Sequence, residues 1–287
     1  MTDTQKKKRR LAALTLLALM SCFVAVLVMT PHFVPVTEST KIMRDRIREE
    51  RFVIHAGGYL PKAESGYYAF TNSLDAVENM YEMGNRICEI DIRETSDGVL
   101  VCAHGDDQYL ADGMTVQVGA TSEAFLSQKV YGEFRPMTFD DLVRFMKRHE
   151  DLYIITDVKE NNVEVCRRIA ESYPEMRNRF IIQIYHACEY DSVASYGFPY
   201  IVYTLYRATE AETNIWKLSD FAEQHEIVAF TFPDVYFLNR KYRTAMARTG
   251  TPFMFHTINH YEMAQEYLKA SFVIGVYTDR TDFRMMD

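Results

Sequence analysis

Glu89, Asp91 and His104 are side chains whose types and spacing could do chemistry together. They fall in one segment, residues 87–107, which reads as two apolar runs broken by Ser96-Asp97-Gly98. That pattern predicts a strand, a tight turn and a second strand. The first run is apolar at Ile87, Ile90 and Ile92, as in a strand buried on both faces, yet it carries Glu89 and Asp91. Residues two apart in a strand point to the same side. Two like charges buried side by side are costly unless a cation or strong donors compensate, and a hard divalent metal is the natural partner. The second run brings His104 back toward the pair, adding a group that exchanges protons near neutral pH. A surface strand with solvated carboxylates and a packed histidine would show the same spacing.

The elements that must position these residues follow from short apolar runs alternating with amphipathic ones beyond Phe52. Strands are predicted at 52–56, 86–92, 152–157, 180–184, 200–204, 227–231, 253–257 and 272–277. Helices are predicted between them at 73–83, 139–149, 163–171, 187–196, 210–224, 237–248 and 261–268. Eight strands separated by helices match an α/β fold of the closed (β/α)8 TIM barrel type, although a doubly wound open sheet would read similarly. In a barrel the strand ends share one catalytic rim. His55 ends the first strand there, while Asp157 and Lys159 end the third with the same two-residue spacing. Three carboxylates, two histidines and a lysine at one rim describe metal-assisted hydrolysis of a phosphate ester. The metal would polarise a phosphoryl oxygen, and the histidines would exchange protons with nucleophile and leaving group. Gln183, at the end of the fourth strand, is a candidate to face the mouth. Arg207, just past the fifth, is a candidate cation for an anionic substrate.

Composition narrows the remaining possibilities. The 287 residues, 48% of them hydrophobic, suffice for one large or two small domains with a sizeable core. A net charge of -8 argues against nucleic acid as the main partner. Cys22, Cys88, Cys102, Cys166 and Cys188 show no Cys-x-x-Cys spacing, so neither a zinc ribbon nor a redox motif is expected. Lys6-Lys7-Lys8-Arg9-Arg10 abuts an uncharged apolar stretch long enough to span a bilayer. The expected organisation is a cytoplasmic basic tail over 1–10, a single transmembrane helix over 11–34 and a charged stalk or membrane-surface helix over 35–51. An extracytoplasmic barrel over 52–287 follows, which places the protein at the cell membrane. A long polar insertion over 107–136 suits a lid or a docking surface.

Several segments resemble, in order, the glycerophosphodiester phosphodiesterase family. They are His55-Ala56-Gly57-Gly58, Thr71-Asn72-Ser73-Leu74, Glu89-Ile90-Asp91, the turn from Thr95 to Val101, His104-Gly105-Asp106, Asp157-Val158-Lys159, His256-Thr257-Ile258-Asn259 and Gly275-Val276-Tyr277-Thr278-Asp279. The likeness covers nearly the whole body and is most specific between Ile87 and His104. That family belongs with phosphatidylinositol-specific phospholipases C and sphingomyelinases D in one superfamily of barrels. The resemblance implies a (β/α)8 barrel that binds calcium or magnesium, with Glu89, Asp91 and Asp157 as metal ligands. It further implies His55 and His104 as the general acid/base pair and Lys159 as a phosphate contact. Attack by a neighbouring substrate hydroxyl, giving a cyclic phosphate that water then opens, is a route that superfamily uses.

The sequence also departs from the family. Ala56 stands where most members have an arginine that grips the phosphate, which removes a bidentate clamp. Thr71 replaces a glutamate, leaving Asn72 as the polar contact, and Asp157 replaces another. His256 replaces a tryptophan and becomes a candidate substrate contact. These changes imply a divergent branch acting on glycerophosphodiesters or on related diesters derived from lipids or the cell envelope. Two alternatives stay open: a phospholipase C- or D-like enzyme on intact lipids, and a non-catalytic, membrane-anchored binding module.

Overall fold

The apolar runs form one sheet that closes on itself. In chain order the strands are β1 (Phe52–Ile54), β2 (Leu60–Pro61), β3 (Tyr67–Tyr68), β4 (Ile87–Glu94), β5 (Leu100–Cys102), β6 (Tyr153–Val158), β7 (Phe180–Ile184), β8 (Ile201–Thr204), β9 (Ala229–Pro233), β10 (Phe253–His256) and β11 (Val273–Thr278). The computed structural model describes residues 35–62, 65–105, 120–247 and 249–286. β1, β4 and β6 to β11 pair in parallel, and β1 joins β11 on one side and β4 on the other. The result is an eight-stranded barrel, as the strand count predicted. β5 runs antiparallel along β4 as the outer arm of the expected hairpin, with Ile92 opposite Cys102. β2 and β3 form a separate two-stranded ribbon.

Burial explains why these segments are strands. β7 and β8 are buried at every position, the pattern of a parallel strand covered on both faces. Alternate residues then serve two cores. Ile154, Phe180 and Ile182 face outward to the helices, while Ile155, Ile181, Val202 and Met254 fill the barrel interior. The covering helices start on side-chain caps. Ser73 caps α2 (Leu74–Glu82) through the amide of Ala76, and Thr138 forms a capping box with Asp141 at the helix Phe139–Arg148. The predicted helix over 237–248 is interrupted at Asn239, whose extended backbone ends the turn Val235–Leu238 and whose side chain caps Arg240–Met246.

The segment expected to be a charged stalk is different in kind. It holds α1 (Glu38–Glu50), capped by Thr37, which packs across the N-terminal end of the barrel. Met43 and Ile47 are buried among Val53, Ile87 and Ile274. Ile47 approaches Gly275 so closely that a Cβ there would lie 2.9 Å from its Cγ2. Arg44 donates to the carbonyls of Ile227 (2.8 Å) and Val228 (3.0 Å), and the Thr37 amide and hydroxyl both reach Glu226 at 2.7 Å. α1 is therefore the floor of the barrel, and its charges are the solvent face of an amphipathic helix. The expected basic tail and transmembrane helix, residues 1–34, lie outside the described residues. So do residues 107–119 of the 107–136 insertion; the rest of it is described and holds the helix Ser122–Leu126. Among the described residues no helix is long and apolar enough to cross a membrane.

Candidate active site

β4 and β6 build the acidic wall. Asp91 and Asp157 are register partners on these adjacent parallel strands, and Glu89 lies two residues back on the same face. Carboxylate oxygens of Glu89, Asp91 and Asp157 all lie within 4.8 Å of one another. All three residues are buried. Lys159 places its ammonium against Asp91 and, at 2.9 Å, against Asp157. Burial alone would lower the Lys159 pKa, but these two charges raise it, so the lysine stays a cation. Asp157 is held below the usual range: burial opposes this, and the charge of Lys159 with the Tyr185 hydroxyl outweighs it. Tyr206 also donates to Asp157, at 3.0 Å.

Glu89 is the uncompensated member. One of its oxygens accepts the Ala56 amide at 3.0 Å and lies 3.8 Å from His55 Nε2. The other, Oε1, is buried without a hydrogen-bond partner among the described residues. Burial, and then the neighbouring charge of Asp91, push the Glu89 pKa up to about 8. A cluster of hard oxygens with an orphaned, buried member fits a divalent metal ion, which would supply the missing positive charge.

β1 and β11 build the opposite side. His55 opens a single turn, His55–Gly57, in which Ala56 has φ 48° and Gly57 has φ 82°. A Cβ on Gly57 would meet that of Ala76 at 2.8 Å, so glycine is required where α2 crosses the turn. His55 Nδ1 lies 2.8 Å from Asp279 Oδ1, just past the end of β11. Asn259 fixes that aspartate, donating to Oδ2 at 2.6 Å and accepting its amide at 2.8 Å. His55 Nε2 therefore points toward Glu89 and the cavity. Burial would lower the His55 pKa, but the bond to Asp279 and the charges of Glu89 and Asp91 raise it to about 9. His104 follows β5, and the Phe70 ring stands between the two imidazoles, 4.6 Å from His55 and 5.5 Å from His104, edge-to-face with both.

These groups line one cavity of about 230 Å³. His55, His104, Glu89, Asp157 and Lys159 face it, as do Gln183 and His256. The His256 Nε2 is buried and has no hydrogen-bond partner among the described residues, and burial pushes its pKa down to about 4, so the ring is neutral. Asn72 is placed elsewhere, behind the acidic wall. Its side-chain amide donates to the Asp91 carboxylate at 2.7 Å and accepts the Asp91 backbone N–H at 3.0 Å, a two-point clamp on that residue. Arg207 stacks on Tyr185 with its guanidinium 4.2 Å from the ring centroid, donates to the Lys159 carbonyl at 3.2 Å and does not line the cavity. With Ala56 fully buried, Lys159 is the single Lys or Arg lining the cavity among the described residues.

Aromatic residues within 59–70 and 185–190 are candidates for the rim from the sequence, and Phe70 and Tyr185 are found there, whereas Asp279, Asn259 and Tyr206 are not assigned to the site by it. Asp279 was within reach of it, because it ends the last strand at the same rim as His55. The tyrosines follow β7 and β8 in loops, where no spacing rule points them at Asp157.

The chain's residues 56–283 match the model of the glycerophosphoryl diester phosphodiesterase family. Solved structures of similar fold include a glycerophosphodiester phosphodiesterase from Thermotoga maritima, at 20% identity and a TM-score of 0.62, covering 82% of this chain and 97% of that one. A glycerophosphoryl diester phosphodiesterase from Agrobacterium tumefaciens aligns at 17% identity with a TM-score of 0.64, over 82% and 96% of the two chains. A phosphodiesterase from Oleispira antarctica in complex with the product sn-glycerol-3-phosphate aligns at 14% identity with a TM-score of 0.60, over 82% and 95%. No curated protein matches the chain.

Proposed function

Since the chain belongs to the glycerophosphoryl diester phosphodiesterase family, and is a phosphoric diester hydrolase of that kind, we propose that it cleaves glycerophosphodiesters or related diesters derived from lipids or the cell envelope. The observation that supports this best is His55, held by Asp279, facing across one cavity the carboxylate cluster of Glu89, Asp91 and Asp157. A calcium or magnesium ion held by these carboxylates would polarise the phosphoryl oxygens and make phosphorus the better electrophile.

The chain's own residues divide the remaining work. Asp279 keeps the proton on His55 Nδ1 and stabilises the imidazolium, so Nε2 can give its proton to the departing oxygen. His104, across Phe70, takes the proton of the attacking hydroxyl, either water or a substrate hydroxyl. Lys159 offsets the phosphate charge, Asn72 fixes the Asp91 carboxylate, and Gln183 and His256 contact the substrate from the far wall. With alanine at position 56, phosphate binding leans on the metal and Lys159, which suits a substrate recognised more through its head group than through its phosphate. The basic cluster Lys6–Arg10, which abuts the uncharged apolar stretch while the bases beyond it begin only at Lys41, supports a single-pass anchor with the barrel outside the cytoplasm.

Action on intact membrane lipids is a second reading, favoured by Phe70 and Tyr206, which are large, exposed aromatic residues at the mouth. The test is product formation by the full chain from glycerophosphodiesters and from phospholipids in mixed micelles, with calcium, with magnesium and with chelator. Metal-dependent release of glycerol 3-phosphate that vanishes in His55→Ala and His104→Ala supports the first reading. Turnover of phospholipids alone supports the second, and no turnover of either overturns both.

A further inference from the structure

An open groove of about 530 Å³, larger than the catalytic cavity, lies on the flank of the barrel between the helix Ile215–Gln224 and the helix Arg240–Met246. Ile215 and Trp216 line one side, Arg240 and Lys241 the other, and no carboxylate is among the lining residues. Trp216 is 73% exposed, and on the short helix Val235–Leu238, which directly precedes Arg240–Met246, Leu238 is 68% and Val235 62% exposed. Large apolar side chains this exposed, with basic ones beside them, are unusual in a chain whose net charge is -8.

Two relations say what covers them. Val235–Leu238 directly follows β9, and the Asp234 amide donates to the carbonyl of His256, a residue of the catalytic cavity, so the apolar end of the flank adjoins the catalytic mouth. At the other end, Glu226 follows the helix Ile215–Gln224 and holds Thr37 at 2.7 Å. Thr37 therefore lies on this same flank, seven residues in sequence after the uncharged apolar stretch 11–30, which is preceded by five basic residues.

From these relations we infer that this flank docks on a bilayer surface rich in anionic phospholipid. Trp216, Val235 and Leu238 enter the interface, and Arg240 and Lys241 lie against the lipid phosphates. Docked in this way, the barrel lies on its side with its mouth at the level of the head groups.

Trp216 is the single tryptophan of the chain, so its fluorescence reports on this surface alone. The full chain is reconstituted with vesicles of phosphatidylcholine, or of phosphatidylcholine mixed with phosphatidylglycerol, both carrying brominated acyl chains. The expected result is a blue shift with quenching of at least about two-fold in the anionic vesicles and much less in the neutral ones. The double variant Arg240→Glu, Lys241→Glu weakens that response about ten-fold or more in lipid concentration. Leu238→Asp gives an independent check from the apolar side. Emission that stays red and unquenched, or quenching equal in both vesicles and indifferent to the charge reversal, overturns the inference. Emission already blue-shifted in detergent also overturns it, because the groove is then filled by the N-terminal stretch or a second copy. The signal reads docking and not turnover, so a chain that docks yet hydrolyses no diester separates this inference from the proposed activity.

Discussion

His55 is bonded through Nδ1 to Asp279, 224 residues later in the chain, at 2.8 Å. The imidazole owes its orientation and its proton to a side chain that lies outside the cavity. Asp279→Asn keeps the size of the side chain but removes the charge that fixes the tautomer. Turnover is expected to fall by about 100-fold to 10,000-fold while calcium or magnesium binding is retained. Steady-state kinetics beside metal calorimetry checks this, and equal loss of both would show that Asp279 supports the fold and not the reaction.

Glu89 has one buried oxygen, Oε1, with no hydrogen-bond partner among the described residues. Glu89→Gln removes like-charge repulsion from the acidic wall, so the metal-free protein should unfold at an equal or higher temperature than the wild type. The stabilisation that metal confers, about 2.7 kcal/mol at a concentration a hundred times the dissociation constant, should disappear. Thermal melts with and without calcium or magnesium would show it. A variant that still gains stability from the ion would remove Glu89 from the ligand set.

Asn72 holds Asp91 by two hydrogen bonds in a fully buried position. Asn72→Ala leaves a buried amide and a carboxylate oxygen without their partner, at a cost of about 2 to 4 kcal/mol. Denaturant unfolding measures it, and a change under about 0.5 kcal/mol, the range of ordinary surface substitutions, would mean the clamp is not formed.

Treating α1 as part of the barrel gives a stability prediction that a stalk would not. Ile47→Ala empties a site beneath Gly275 and should destabilise the whole domain by about 2 to 4 kcal/mol. Unfolding that is cooperative but shifted supports this; an unchanged midpoint would return residues 38–50 to a peripheral role.

Asp97, in the turn of the β4–β5 hairpin, accepts the Thr95 hydroxyl at 2.6 Å and the Ser122 amide and hydroxyl at 2.8 Å each. The bond from Thr95, then those from Ser122, hold its pKa down to about 2. A carboxyl lower in the folded state than in the unfolded one adds stability above roughly pH 4, and that stability is lost as the pH falls toward about 2. The difference in melting temperature between wild type and Asp97→Ala should therefore be constant near neutrality and close at acid pH. A difference that widens on acidification would reverse the assignment.

Most of the barrel was legible because its strands are short, buried on both faces and separated by amphipathic helices. The two-residue spacing of Glu89 with Asp91, and of Asp157 with Lys159, was enough to place four groups on one wall. α1 was misread because its charges outnumber the apolar residues at 43 and 47, and only packing shows which face is covered. Asn72 and Arg207 were legible as polar groups near the rim but not as neighbours of particular atoms, since a loop's path depends on what it packs against. The pairing of Asp279 with His55 depends on which strands close the ring, a relation between chain ends that no local pattern carries.

That closure has a consequence for biosynthesis. β11 is the last strand of the barrel in chain order, and β1 must wait for it. Until the C-terminal residues have left the ribosome, β1 lacks one neighbour and His55 lacks its carboxylate, whatever else of the barrel has formed. A nascent or C-terminally clipped chain would carry the whole acidic wall and yet have no oriented proton donor. On the proposed mechanism, hydrolysis is thereby withheld from any form that lacks β11 and Asp279.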